Sequence, residues 1–496
     1  MSSKNQSYNQ LLKATTIFGG VQVFNVIISI IRTKFVAVFL GASGLGVFSI
    51  FQNTANLIYT ISHLGISSSA IREISIANAS EDKVKISRTI GVFMKWVILT
   101  GLVGTVFMLI AAPYLSEITF GNKDYQNGYR YISVIILFSA LSNSQMAVLK
   151  AMRKVRDLAK ANVIGSFIGL VISIPLFYFL RSEGIVLSII IAAALAVICT
   201  TYFSRKIETV KVSIDLLQSY REGRGMILLG FIMTISSLLT VLNNFMINAH
   251  INEKAGLEVL GLYQSGISIS TKYVGMIFTA MAMDFYPRLS MINEDNVEVR
   301  NSVNQQMEIG LLIISPILIL MISTMPVLIN LLYSEEFLPI VEFVQWLSLG
   351  IFIKAISWPI GYIILAKGHS KTFLISEITA LSILFSANIF GFNYNGLNGL
   401  GISILFSNVI HLIFLIVLTR LRYDFKIEKP ILKLIVIKFI ICLVALTLAF
   451  SLGFPRAYWS GLFFFILSSF ISLKILNTKT GLIQKLKRKR RKNDGK

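Results

Sequence analysis

From residue 13 to residue 476 the sequence is divided into apolar runs about as long as a bilayer is thick, and this spacing limits its folding more than any other feature. A spanning helix needs about 20 mostly apolar residues. Fourteen segments meet that measure: 13–38, 44–69, 90–114, 130–150, 158–180, 184–204, 225–249, 258–283, 304–332, 340–366, 371–391, 396–419, 431–453 and 457–476. The chain therefore reads as an all-α polytopic membrane protein of about fourteen transmembrane helices. Composition agrees, since 55% of residues are hydrophobic and 14% charged, against roughly 25% charged in soluble domains.

Positive charge should crowd every second loop of such a chain. Arg72, Lys83, Lys85 and Arg88 follow the second span, Lys150, Arg153, Lys154, Arg156 and Lys160 the fourth, and Arg205, Lys206, Lys211, Arg221 and Arg224 the sixth. The alternate loops hold few, mainly Lys123, Arg130, Arg181, Lys254 and Arg456. Both termini are expected to be cytoplasmic. The tail "KLKRKRRKNDGK" (485–496) suits that side as a topology anchor and a contact for lipid headgroups.

Several functions are excluded early. The net charge of +22 lies between apolar segments rather than on a soluble face, so no nucleic-acid partner is expected. Cys199 and Cys442 sit inside apolar runs, with neither a disulfide framework nor a metal motif. The first apolar stretch, Leu11 to Leu40, is too long for a cleaved signal and is expected to stay as a span. The loops are short, no phosphate-cradling G-x-x-x-x-G-K-[ST] motif occurs, and no cofactor is expected.

The chain repeats itself weakly. "LGVFSIFQN" (45–53) opens the second span and "LGLYQSGIS" (260–268) the eighth, an offset of 215; "LKAMRKVRDL" (149–158) and "LAKGHSKTFL" (365–374) lie 216 apart. Two parallel, pseudo-symmetric six-helix lobes follow, 1–215 and 222–425, with two appended helices in 430–478 and a basic tail in 479–496. Paired lobes are a common architecture for alternating access, with the substrate site at the midplane between them.

Polar residues inside the spans fall at helical spacing. The first span offers Gly19, Gln22, Ser29 and Arg32 with Asn25 beside them, and the second Ser49, Gln52, Asn53, Asn56, Thr60, His63 and Ser67. The seventh carries Ser236, Ser237, Thr240, Asn243, Asn244 and Asn248. Gly261, Ser265, Ser268, Lys272, Gly275 and Thr279 line the eighth, and Gly350, Lys354, Ser357 and Gly361 the tenth. Small and hydroxylated residues have a plain alternative use, letting membrane helices pack closely. Packing has no need of full charges, and a lysine at the centre of a membrane helix costs roughly 2.5–3.5 kcal/mol. Arg32 and Lys34 are near enough to a helix end to snorkel. Lys272 and Lys354 are too deep for that, and a water-filled cationic cleft for an anionic substrate group accounts for them.

The acids in the spans are fewer. Asp284 can pair with Arg288 one turn on. Glu308 and Glu377 are counter-charges or proton and sodium sites for coupled transport. His63, His250, His369 and His411 are isolated in sequence and read as hydrogen-bonding residues rather than metal ligands. In "SWP" (357–359), Pro359 should kink its helix.

"FLGASGLGVFSIFQN" (39–53), "YVGMIFTAMAMDFYPRLS" (273–290) and above all "LLYSEEFLPIVEFVQWLSLGIFIKAISWPIGYIILAKG" (331–368) resemble the O-antigen translocase branch of the polysaccharide flippases, in the multidrug/oligosaccharidyl-lipid/polysaccharide superfamily. The resemblance implies two six-helix bundles plus two helices in the bacterial inner membrane. It implies movement of an undecaprenyl-diphosphate-linked oligosaccharide from the cytoplasmic to the periplasmic leaflet, with polysaccharide polymerase and chain-length machinery as candidate partners. Relatives that flip lipid-linked sugars have cationic cavities, for which Arg32 and Lys272 are the nearest matches here. Many distant relatives carry an acid–base pair in the seventh span where this chain has Asn243–Asn244. With Lys354, these cations would attract the diphosphate or acidic sugars, while the Gln, Asn, Ser and Thr stripes would exchange hydrogen bonds with the glycan.

Three other readings compete. A drug or metabolite antiporter of the same superfamily that exports organic cations should line its cavity with acids. A membrane-embedded glycan polymerase should carry catalytic residues on a sizeable outer loop. A scaffold of a glycan assembly complex would leave the cations without a use.

Overall fold

A computed structural model describes residues 2–152, 154–210, 216–452 and 456–480. Arg153, Lys211 and most of the basic tail lie outside the described residues. The helices are α1 (Ser2–His63), α2 (Ile66–Ala79), α3 (Lys83–Phe120), α4 (Gln126–Ile132), α5 (Val134–Ala151), α6 (Val155–Leu180) and α7 (Glu183–Ser204). They continue as α8 (Leu216–Ile269), α9 (Gly275–Met291), α10 (Asn296–Leu332), α11 (Val341–Ala366), α12 (Ser370–Tyr423), α13 (Lys429–Ser451) and α14 (Arg456–Thr480). A π-helical turn, Ser270–Val274, joins α8 to α9, and a 3-10 turn, Glu335–Ile340, precedes α11. The all-α expectation holds, and each of the fourteen apolar runs forms helix.

Three helices are too long for one crossing and are broken inside. Gly41 (φ 68°, ψ −170°) divides α1, Gly256 (φ 80°, ψ 177°) divides α8, and Asn395 with Gly396 divides α12. Each break separates two of the expected spans. The second span ends earlier than its apolar pattern suggested, because Leu64 and Gly65 take positive φ and α2 starts afresh at Ile66. The α2 residues Ile66, Ala70 and Ile74 join a buried cluster with Phe93 and Val97 of α3, Ala147 and Val148 of α5, and Leu158 of α6.

Lateral packing follows membrane logic. Helix α3 turns Val103, Phe107, Ile110 and Tyr114 outward, where hydrocarbon imposes no penalty, and packs inward through Thr100, Gly101, Gly104 and Met108. The inner stripe is small so that backbones can approach. Outside the spans, Lys83 donates to Glu208 at 2.7 Å and Val210 N–H to Ser87 Oγ at 2.8 Å, tying the segment after α7 to the start of α3. This bond from Lys83 holds the Glu208 carboxyl below its ordinary value.

Contact density groups the chain into two compact units, Met1–Ser265 with Leu332–Glu336, and Gly266–Leu331 with Phe337–Lys496. The seventh span and the start of the eighth thus join the first unit, a division different from the lobes at 1–215 and 222–425. A backbone crossing inside the first unit contributes to that grouping. A Cβ on Gly46 would run into the Leu257 carbonyl, and one on Gly261 into the Ala42 carbonyl. Gly41 and Gly256, Ala42 and Leu257, and Gly46 and Gly261 are all 215 residues apart, the offset of the sequence repeat. The crossing is thus reciprocal. Two further bonds lie beside it: Ala42 N–H donates to Glu336 Oε1 at 3.2 Å, and Asn252 Nδ2 donates to the Thr119 carbonyl.

Gly46→Ala and Gly261→Ala should each separate these backbones, an overpacking penalty of about 1–3 kcal/mol. Gly275→Ala, with nothing within 4 Å of the added carbon, is the control. Thermal melts of the purified protein should fall for the first two and not for the third; equal melting temperatures would mean the crossing is looser than described.

Candidate anion-binding site

Helix α11 is among the most buried elements of the second unit, with Phe343, Leu347, Ile351, Phe352, Ile356 and Ile360 all inside. Lys354 lies in the middle of this helix. Its neighbours Ile353 and Ala355 are buried, yet its own side chain is exposed. An exposed residue within an otherwise buried stretch of helix marks the wall of a recess. Ser357, one turn on, is buried and donates to the Lys354 carbonyl at 3.3 Å.

The glycines of the same stripe set its register against α12. A Cβ on Gly350 would lie 3.3 Å from Leu405 Cα and 3.4 Å from Asn408 Nδ2, and one on Gly361 would lie 4.0 Å from Leu415 Cδ1. Both helices advance in the same direction along this contact. Lys354, one turn beyond Gly350, therefore falls opposite His411, which lies between Asn408 and Leu415. The charge of Lys354 acts on His411, whose Nε2 is buried and makes no hydrogen bond. It also acts on Glu377, from the first half of α12. Three spans thus contribute one cation, one carboxylate and one imidazole, an arrangement suited to holding an oxyanion beside a resident counter-charge.

The remaining expected residues are distributed as follows. Arg32 is half-buried on α1, its Nη2 close against Gly169 of α6, where a Cβ would come within 3.3 Å; its Nε is buried without a partner. Asn25 Oδ1 is likewise buried and unpartnered. Gln52 and Asn56 are exposed and Asn53 half-buried, whereas His63 is buried, bonded through Nε2 to Ser67 Oγ at 2.7 Å and stacked on Tyr59. Asn243 is buried and Asn244 exposed; Ser268 is half-buried. Glu308 is buried on α10 at 7% exposure. The side chains of Gln22, Lys272 and Asp284 lie outside those described, so the Asp284–Arg288 pairing does too; Arg288 Nη2 donates to Gln306 Oε1 at 3.4 Å.

Sequence reasoning missed Lys438. It lies in α13 at 0% exposure, and its Nζ donates to the Ser468 carbonyl at 2.7 Å, Ser468 Oγ at 2.8 Å and Ser472 Oγ at 2.9 Å. All three ammonium protons are satisfied, so Lys438 pins α13 to α14 and is closed to any ligand. The signal was two serines four residues apart on the next span. His411 was set aside because its partners are remote in sequence, and only the packing of α11 on α12 brings them together.

A polytopic helical chain with breaks in its long helices, and a charged side chain exposed in an apolar helix, defines a membrane transporter in class. The family described as polysaccharide biosynthesis protein matches residues 35–342, and the chain belongs to that family. It is 24% identical over 358 residues to the lipid III flippase of Escherichia coli (strain K12), covering 71% of this chain and 84% of that protein. Its fold is similar to lipid II flippase MurJ in an inward closed conformation, with a TM-score of 0.72 at 14% identity over 94% of this chain and 99% of that one. It is also similar to an inward-facing multidrug resistance MATE family transporter of the MOP superfamily, with a TM-score of 0.69 at 15% identity over 81% and 94% of the two chains.

If Lys354 and Glu377 balance one another, removing either leaves an uncompensated charge, and removing both does not. Lys354→Ala and Glu377→Ala should each lower the melting temperature. The double variant should recover part of the loss, with a coupling of about 0.5–3 kcal/mol. Strict additivity would mean that the two charges do not interact.

Proposed function

We propose that this chain is a flippase for a lipid-linked oligosaccharide, moving an undecaprenyl-diphosphate-linked surface-polysaccharide repeat unit such as O-antigen across the bacterial inner membrane by alternating access. The observation that carries this reading is Lys354, an exposed cation in the middle of an apolar and otherwise buried helix, with Glu377 and His411 beside it. Family membership and the likeness to the lipid III flippase support a lipid-linked sugar as cargo. A diphosphate is the one strongly anionic part of such a molecule. Lys354, assisted by Lys272 and Arg32, holds it, and the Gln, Asn, Ser and Thr stripes exchange hydrogen bonds with the glycan. The polyprenyl tail stays in hydrocarbon.

In this reading residues 1–215 and 222–425 act as the two moving lobes, with both termini on the cytoplasmic side. A polymerase and chain-length machinery would receive the product. Binding must be weak enough to release, as in any conduction path. Glu377 supplies that weakness by competing with the diphosphate for Lys354.

Lys354→Ala and Lys272→Ala should reach the membrane at normal levels and lose most transport; normal surface glycan in both at native expression removes the cationic site. Depletion of the protein in its own host should leave the lipid-linked oligosaccharide facing the cytoplasm while surface polysaccharide falls. If complete repeat units still reach the periplasm and only their polymerisation stops, the chain serves the polymerase and is not a flippase.

A further inference from the structure

We propose that Trp358, Tyr362 and Tyr286 form a sugar-stacking ladder, a subsite for the apolar faces of pyranose rings that continues from the Lys354 anion site. The proposal rests on the reading of Lys354 given above and extends it to the glycan. Lys354, Trp358 and Tyr362 follow one another at intervals of four along α11. At 3.6 residues per turn each step rotates by only about 40° and climbs about 6 Å, so the three side chains form one slanted row. Tyr286 of α9 extends the row, its ring 5.8 Å from that of Tyr362.

The rings are held from behind. Phe285 is fully buried, with its ring 5.8 Å from Trp358 and 5.9 Å from Tyr362, and Phe278 lies 5.6 Å from Trp358. They are not stacked on one another: Trp358 and Tyr362 meet at 60°, Tyr362 and Tyr286 at 61°. Each is covered only in part: Trp358 and Tyr362 are half-buried and Tyr286 is 38% exposed.

Tryptophan and tyrosine also collect at lipid interfaces, and the same rings could serve as such a belt. Lys354 argues against that use. A mid-membrane ammonium faces water or protein rather than lipid, and Trp358 sits within about 40° of it on the same helix. The row thus opens onto the recess that Lys354 opens onto. A pyranose presents C–H groups on its faces and hydroxyls around its edge. Aromatic faces answer the first part and a phenolic O–H at the rim, that of Tyr286 at the end of the row, the second; the Trp358 indole is hydrogen-bonded to Tyr362 and serves through its face. A diphosphate held at Lys354 would leave the first sugar beside Trp358 and the next toward Tyr362 and Tyr286.

The test compares two soluble probes on the full-length purified protein: farnesyl diphosphate, and farnesyl diphosphate carrying N-acetylglucosamine. In the wild type the sugar should tighten binding by about two- to tenfold, the value of one aromatic contact. Trp358→Ala and Tyr362→Ala should abolish that gain and leave farnesyl diphosphate binding unchanged, while Trp358→Phe keeps most of it. Lys354→Met should weaken both probes alike. Should Trp358→Ala fail to fold, Tyr286→Ala gives the same comparison at the exposed end of the row. No gain from the sugar in the wild type, or equal weakening of both probes by Trp358→Ala, overturns the ladder while leaving the anion site standing. Unchanged binding of both probes by Lys354→Met overturns the anion site instead.

Discussion

A full charge inside hydrocarbon must find water, a counter-charge or a complete set of hydrogen bonds, and much of this molecule's internal arrangement answers that demand. Three cations show three answers. Lys438 takes hydrogen bonds alone: three oxygens of α14 meet its three protons, and the ammonium is sealed. Lys354 takes a carboxylate, with Glu377 acting on it, and stays exposed on its helix. Arg32 has its Nε buried without a partner and its guanidinium lodged against a glycine. Only the sealed cation is finished. The other two keep hydrogen-bonding capacity that no side chain meets, which is what the proposed anion site would use.

The same contrast explains which parts of the structure were legible in the sequence. Spans were legible because bilayer thickness fixes their length, and the tenth, expected at 340–366, forms helix over Val341–Ala366. Lys354 was legible because an isolated lysine in an apolar run has no local excuse. Lys438 has the same signature in sequence, and the opposite role, because its partners lie on a different helix. His411 shows the converse failure. Nothing near it in sequence is charged, and its place beside Lys354 exists only because Gly350 and Gly361 allow α11 and α12 to close.

Glycine also decides the backbone at the repeat. Gly41 and Gly256 hold positive φ that a side chain would strain, and each turns the chain from one span into the next. Five residues on, Gly46 and Gly261 give up their side chains so that two helices can touch backbone to backbone. The repeat was visible as two weak matches, at offsets of 215 and 216. What it preserves is geometric: a break, then a crossing point. Loose matching elsewhere follows, since lipid-facing positions accept almost any large apolar residue.

A transporter has a stricter requirement than a binding protein, because every contact that captures cargo also delays its release. Single strong contacts are poor for that purpose, and in the function proposed above the second unit would divide the task among weak ones. Lys354 attracts an anion but already has Glu377 as a rival for its charge, so the net gain on binding is smaller than for a free lysine. The proposed aromatic faces would add small increments, of about 0.5–1.5 kcal/mol each on the scale of aromatic pair contacts. On the proposed reading such a row would tolerate varied glycans while the charge reads the one group that lipid-linked sugars share, so that selectivity for the carrier and tolerance for the cargo would come from different residues on one helix, four positions apart.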